Sequence, residues 1–69
     1  MNTLVQAQQN VNEASFLLQN NVNVALERGA EINAFIKSID FFSMRGEIDR
    51  ALIESRNYKS AVHKWLGLQ

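Results

Sequence analysis

The chain has no cysteine and no proline, and only three glycines in 69 residues. Without cysteine there is no disulfide to brace the fold, and no thiolate to bind zinc or act as a nucleophile. Without proline, nothing along the chain removes a backbone donor and forces a helix to stop. Glycine stands only at positions 29, 46 and 67, so long helices are favoured. A dominant charge is lacking too, since seven basic and seven acidic side chains cancel. No net field steers the protein toward nucleic acid or an anionic membrane. No run is long and apolar enough to span a bilayer. The opening Met1-Asn2-Thr3-Leu4 lacks the basic and apolar regions of a signal peptide. These absences predict a soluble, cytoplasmic protein.

What is present is apolar: 46% of the residues are hydrophobic, enough for a folded or folding-on-binding segment. A unit this short buries a thin core, and with disulfides and thiolate metal sites excluded, oligomerisation is the remaining way to enlarge it. No stretch alternates apolar and polar residues cleanly, so strands are not expected. Thr3-Leu4-Val5-Gln6 reads as a capping box, which places a helix start near Thr3. From there a frame of 3-4 spacing runs through Leu4, Ala7, Val11, Ala14, Leu18, Asn21, Ala25, Arg28, Ile32, Phe35, Ile39 and Phe42. Ten of these twelve positions are apolar, Asn21 and Arg28 being the exceptions, and that is a coiled-coil pattern.

At Gly46 the frame stops, because continuing it would put Gly46, Asp49, Arg56 and His63 on the seam. A second stripe resumes out of phase as Ile48, Leu52, Ser55, Tyr58, Val62 and Trp65. Its acidic first turn (Glu47, Asp49), basic last turns (Lys59, His63, Lys64) and Gly67 mark a helix of about residues 47–66. The expected fold is all-α: one long helix over about 3–44, a turn or kink at 43–46, and the shorter C-terminal helix. Together they form a helical hairpin or a kinked rod that assembles into a coiled coil or multi-helix bundle. The cluster Phe35, Ile36, Ile39, Phe41 and Phe42 covers more than one helix face, as burial against two neighbours requires.

Catalytic chemistry finds little support. His63 has Lys59 one turn before it and no carboxylate or second histidine at ligand spacing, so neither a metal nor a base-and-nucleophile arrangement is expected. Glu47, Arg50 and Glu54 have the spacing of a solvent-facing ion-pair ladder. No glycine-rich phosphate loop occurs, and no cofactor is expected. Arg56, Lys59, His63 and Lys64 gather near Tyr58 and Trp65, but nearby acids balance them and the aromatics lie on the apolar stripe. Core aromatics, rather than a nucleic-acid surface, are the reading.

The stretch from Leu17 to Ile32, LLQNNVNVALERGAEI, resembles the middle of an R-SNARE motif, the synaptobrevin-type helix of vesicle fusion. Asn21-Val22 followed by Leu26-Glu27-Arg28-Gly29 carries the likeness, with the apolar frame from Leu4 to Phe42 around it. The resemblance implies that Arg28 forms the arginine of a central ionic layer and Asn21 a polar layer before it. It also implies pairing with three glutamine-bearing helices, at the cytosolic face of a membrane. Physically, an arginine inside a four-helix core is costly unless acceptors surround it, and its best use is to fix register. Alternatively, Arg28 lies at a seam edge with its stem packed and its head in water.

The expected function is therefore non-enzymatic: a protein-interaction module whose partners are protein helices, its own copies or heterologous ones. The alternatives are an R-SNARE-like fusion helix, and a filament subunit or small bacterial or phage-like adaptor or regulator. The candidate interaction seam is Leu4, Val11, Leu18, Asn21, Arg28, Ile32, Phe35, Ile39, Phe42, Ile48, Leu52, Tyr58, Val62 and Trp65.

Overall fold

The computed structural model describes residues 2–68, and all of its regular structure is helical: α1 (Thr3–Gln19), α2 (Val22–Glu27), α3 (Gly29–Met44) and α4 (Ile48–Trp65). The expected helix over 3–44 is thus three helices. The breaks fall at the two polar positions of the apolar frame. Asn20 and Asn21 turn their side-chain amides back onto α1, donating to the carbonyls of Phe16 (3.3 Å) and Leu17 (2.8 Å). Short amide side chains compete with the helix ladder in this way and favour its end. At Arg28 the backbone relaxes to φ −104°, ψ 17°, closing α2 and opening α3.

The start of α1 also differs from the expected capping box. Asn2 is the cap, its Oδ1 accepting from the backbone N–H of Leu4 (2.9 Å) and Val5 (3.4 Å). At Gly46 the chain turns rather than kinks. Gly46 takes φ +77°, a left-handed conformation that glycine adopts without strain. Glu47 N–H donates to the Phe42 carbonyl (2.9 Å) and Gly46 N–H to that of Ser43 (3.1 Å), the paired bonds of a Schellman end. Gly67 (φ +70°) ends α4 the same way, with Leu68 N–H donating to the His63 carbonyl at 2.8 Å.

The helices run down, back and down again. Asn10 meets Ser55 and Ser15 meets Tyr58, so α1 and α4 are parallel. Phe35 meets Tyr58 while Arg28 meets Trp65, so α3 runs antiparallel to α4. The α1–α4 contact is the most extensive, and among the three long helices α1 and α3 touch each other least. Side-chain size explains this order. Ala7 and Ala14 on α1 and Ala51 and Ser55 on α4 are all buried, and Ser55 bonds across to Asn10 of α1. Small residues let two helix backbones approach closely. The core fills between them with Leu18, Ile39, Tyr58 and Val62, flanked by Val11, Ile32, Phe35, Ile36 and Trp65.

A line of polar contacts accompanies this packing. Asn10 Nδ2 donates to Ser55 Oγ (3.1 Å), which donates to the Leu52 carbonyl (2.7 Å). The Tyr58 hydroxyl and Ser15 Oγ lie 3.3 Å apart, and Lys59 pairs with Glu13. Among the described residues no buried side-chain nitrogen or oxygen lacks a partner. Because these bonds require particular residues opposite one another, a slide of one helical step would leave polar groups buried and unpaired. They fix the α1–α4 register.

Candidate docking surface

The folded chain consumes most of its apolar frame internally. Leu18, Ile39, Tyr58 and Val62 are buried; Val11, Ile32, Phe35, Phe42, Ile48, Leu52 and Trp65 are half-buried. Phe35 joins Tyr58 (5.5 Å between ring centroids) and Trp65 (6.5 Å), so the aromatics of the second stripe do serve as core. Leu4 remains exposed and lines a cleft of about 240 Å³ between α1 and α3.

Asn21 and Arg28 lie outside the core. Asn21 is exposed and precedes α2. The Arg28 side chain is 44% exposed, donates to Glu31 Oε1 at 3.0 Å, and sits 5.4 Å from the Trp65 ring centre. In the single chain it is therefore a surface arginine that stacks on an aromatic and pairs within its own helix turn. Arg50 likewise pairs with Glu47 (3.6 Å) and covers the Phe42 ring at 4.7 Å. The wide cluster on α3 splits. Phe35, Ile36 and Ile39 pack inward, and Phe41 stays exposed beneath Arg45 (5.3 Å).

Leu4 apart, the large apolar residues left exposed are ones that the frame does not contain. At the end of the molecule where α2 crosses, Val22 (60% exposed) and Leu26 (76% exposed) stand over a groove of about 370 Å³. Leu18, Ala25, Ile32 and Tyr58 line the groove beneath them. The chain of causes is local. The asparagine break redirects the backbone, the short α2 lays Val24 and Ala25 against the core, and Val22 and Leu26 on its other side are left in water. On α1, Val5 and Phe16 are also exposed and also lie off the frame. A search for apolar residues out of phase with the stripe would have singled out all four.

Compared with known proteins, the chain matches no family model, no curated protein and no solved structure. Its chemistry is to be read from the surface alone. No described helix is long and apolar enough to cross a membrane, and the described residues contain no group of three or more potential metal ligands. What the surface offers a ligand is shape and apolar area. The groove is open, its walls are mostly hydrocarbon, and its polar groups are the Ser15 and Tyr58 hydroxyls and the Gln19 amide.

Proposed function

We propose that the chain is a non-enzymatic interaction module that works by helix-to-helix docking, with the α2 groove as a receptor for a protein helix. The observation that supports this reading is the exposure of Val22 and Leu26 together over an apolar floor. Scattered exposed leucines are ordinary on any surface, but apolar side chains grouped around a concave site mark recognition. An amphipathic helix laid in such a groove anchors residues at i, i+3, i+4 and i+7. Affinity then comes from buried hydrocarbon, and no bond is made or broken.

A photoreactive side chain placed at Leu26 tests the reading in cells that express the protein. A discrete protein adduct at position 26, lost with Val22→Asp and absent with the photoreactive group at exposed Arg56, is the expected result. Equal labelling at positions 26 and 56 would sink it.

A second reading takes residues 4–42 as a fusion-type helix that straightens when it meets partner helices. It is favoured by the thinness of α2, which buries no residue, so that little packing resists straightening there. In that assembly Arg28 would turn inward to acceptors that the partners supply. Spin labels at Gln8 and Lys37, which flank both breaks, separate the two. A continuous rod of 29 residues sets them about 44 Å apart, whereas the folded chain, in which Gln8 and Ile36 line one cleft, keeps them within about 20 Å.

A further inference from the structure

The side of α1 that faces away from the core carries an ordered pattern of its own. Val5, Gln9, Asn12 and Phe16 recur at spacings of four, three and four. At 3.6 residues per turn they fall within an arc of about 60°, opposite the buried Ala7, Ala14 and Leu18, and all four are exposed. Val5 is 47% exposed and Phe16 62%. The stripe is palindromic in spacing and in chemistry: apolar, amide, amide, apolar.

We infer that this face of α1 is a self-association surface, on which a second copy of the chain docks antiparallel about a twofold axis between residues 10 and 11. The inference goes beyond the groove reading and stands on a different face of the molecule. In that pairing Val5 meets Phe16 of the second copy and Gln9 meets Asn12 of the second copy, twice over. Apolar groups meet apolar groups and amides meet amides, which is the self-complementarity that a twofold interface demands. Hydrogen bonds are available as well. Gln8 Nε2 donates to Asn12 Oδ1 at 2.9 Å, whereas the Asn12 Nδ2 and the Gln9 amide have no partner among the described residues.

Charge selects this face over the others. A twofold contact sets a patch against itself, so a patch of one sign repels its own copy, and charges of either sign lose hydration when they are buried there. The exposed surface of α3 carries Glu31, Lys37 and Asp40, and that of α4 carries Asp49, Arg50, Arg56 and Lys64. The only charge on α1 is Glu13, which lies off the stripe and is paired with Lys59. Antiparallel helix dipoles favour the same arrangement. The contact is a modest one, because α1 has 17 residues and spans about 25 Å. It belongs at the small end of specific interfaces, so the expected dimer is micromolar rather than nanomolar.

Sedimentation of the purified chain across about 1 μM to 1 mM should follow a monomer–dimer equilibrium. Phe16→Lys should raise the dimer Kd by about 100-fold or more, since both copies lose an anchor, while helicity and melting stay near those of the parent. Gln9→Glu places two carboxylates beside the axis and should make dimerisation stronger at pH 4 than at pH 7. It serves if Phe16→Lys proves unstable. The absence of native cysteine permits a register test. An oxidised mixture of Val5→Cys and Phe16→Cys chains should yield the mixed disulfide. Neither variant should cross-link to itself, because like positions are about 16 Å apart, beyond the reach of a disulfide. A chain that stays monomeric at 1 mM, a Phe16→Lys dimer of unchanged strength, or a Val5→Cys self-cross-link would each overturn the inference. The photoadduct at Leu26 is independent of all three, so failure here leaves the groove reading standing, and failure there leaves the dimer.

Discussion

Tyr58 is the residue on which the fold most depends. It is 1% exposed, the largest of the fully buried side chains, and it touches all three long helices. Its ring lies 5.5 Å from Phe35 on α3, and its hydroxyl reaches Ser15 on α1 at 3.3 Å. Truncation by Tyr58→Ala removes a buried aromatic, at a cost of about 3–5 kcal/mol. A domain of this length has a total stability of about 3–10 kcal/mol at 0.05–0.15 kcal/mol per residue, so the variant should be largely unfolded at the lower end of that range. Tyr58→Phe keeps the ring and loses only a bond whose partner is half-buried, so Ser15 can turn to water. That should cost about 0.5–1.5 kcal/mol, a drop in Tm of about 4–8 °C per kcal/mol. The comparison residue is Leu26, similar in apolar content but 76% exposed. Leu26→Ala should stay within about 0.5 kcal/mol of the parent. Urea and thermal unfolding followed by circular dichroism at low micromolar concentration rank the three. If Tyr58→Ala and Leu26→Ala lose equal stability, the placement of the core between α1, α3 and α4 is wrong.

Three further outcomes follow from the packing and the caps. Ala14→Leu inserts hydrocarbon at a fully buried position of the core, so it should destabilise by about 1–3 kcal/mol in urea titrations, although leucine and alanine are both good helix formers. Gly46→Ala forces a side chain to φ +77° and should cost about 1 kcal/mol, whereas Gly29→Ala, with no atom within 4 Å of the added carbon, should be neutral or slightly stabilising by thermal melts. Asn2→Ala removes the cap of α1, should cost about 1 kcal/mol, and should speed amide exchange at Leu4 and Val5 before any other site.

Much of this architecture is legible in the residues, and where it is not the reason is specific. The C-terminal helix has its own charge pattern and its own glycine stop, and both are local signals. They place it at about 47–66, against an observed Ile48–Trp65. The apolar frame from Leu4 to Phe42 also finds most of the core, because periodicity reports which side of a helix is dry whether or not the helix is continuous. Val11 and Leu18 on one side of the breaks, and Ile32, Phe35 and Ile39 on the other, all point inward. The exposed apolar residues are harder to read, since Val5, Phe16, Val22 and Leu26 look like noise around a strong stripe. Only the fold makes clear that the described residues leave them exposed.

The breaks themselves turn on two residues that a periodic pattern leaves ambiguous. A polar side chain in an apolar frame has two low-cost outcomes. It can be buried with acceptors supplied by other helices, or the helix can end there and release it to water. Asn21 and Arg28 take the second course in the isolated chain, where no acceptor from a partner exists. Asn21 bonds back to the Leu17 carbonyl, and Arg28 settles on Glu31 and the Trp65 ring. Neither bond is deep in the core, and each could be exchanged for a stronger one if a partner brought amide or carboxylate oxygens to the seam. The same pair that carries the likeness to a fusion helix is thus the pair that ends α1 and opens α3. If the chain works as the fusion-type helix of the second reading, the supply of acceptors from outside it, rather than the helix propensity of residues 4–42, is what would turn the folded bundle into a straight seam.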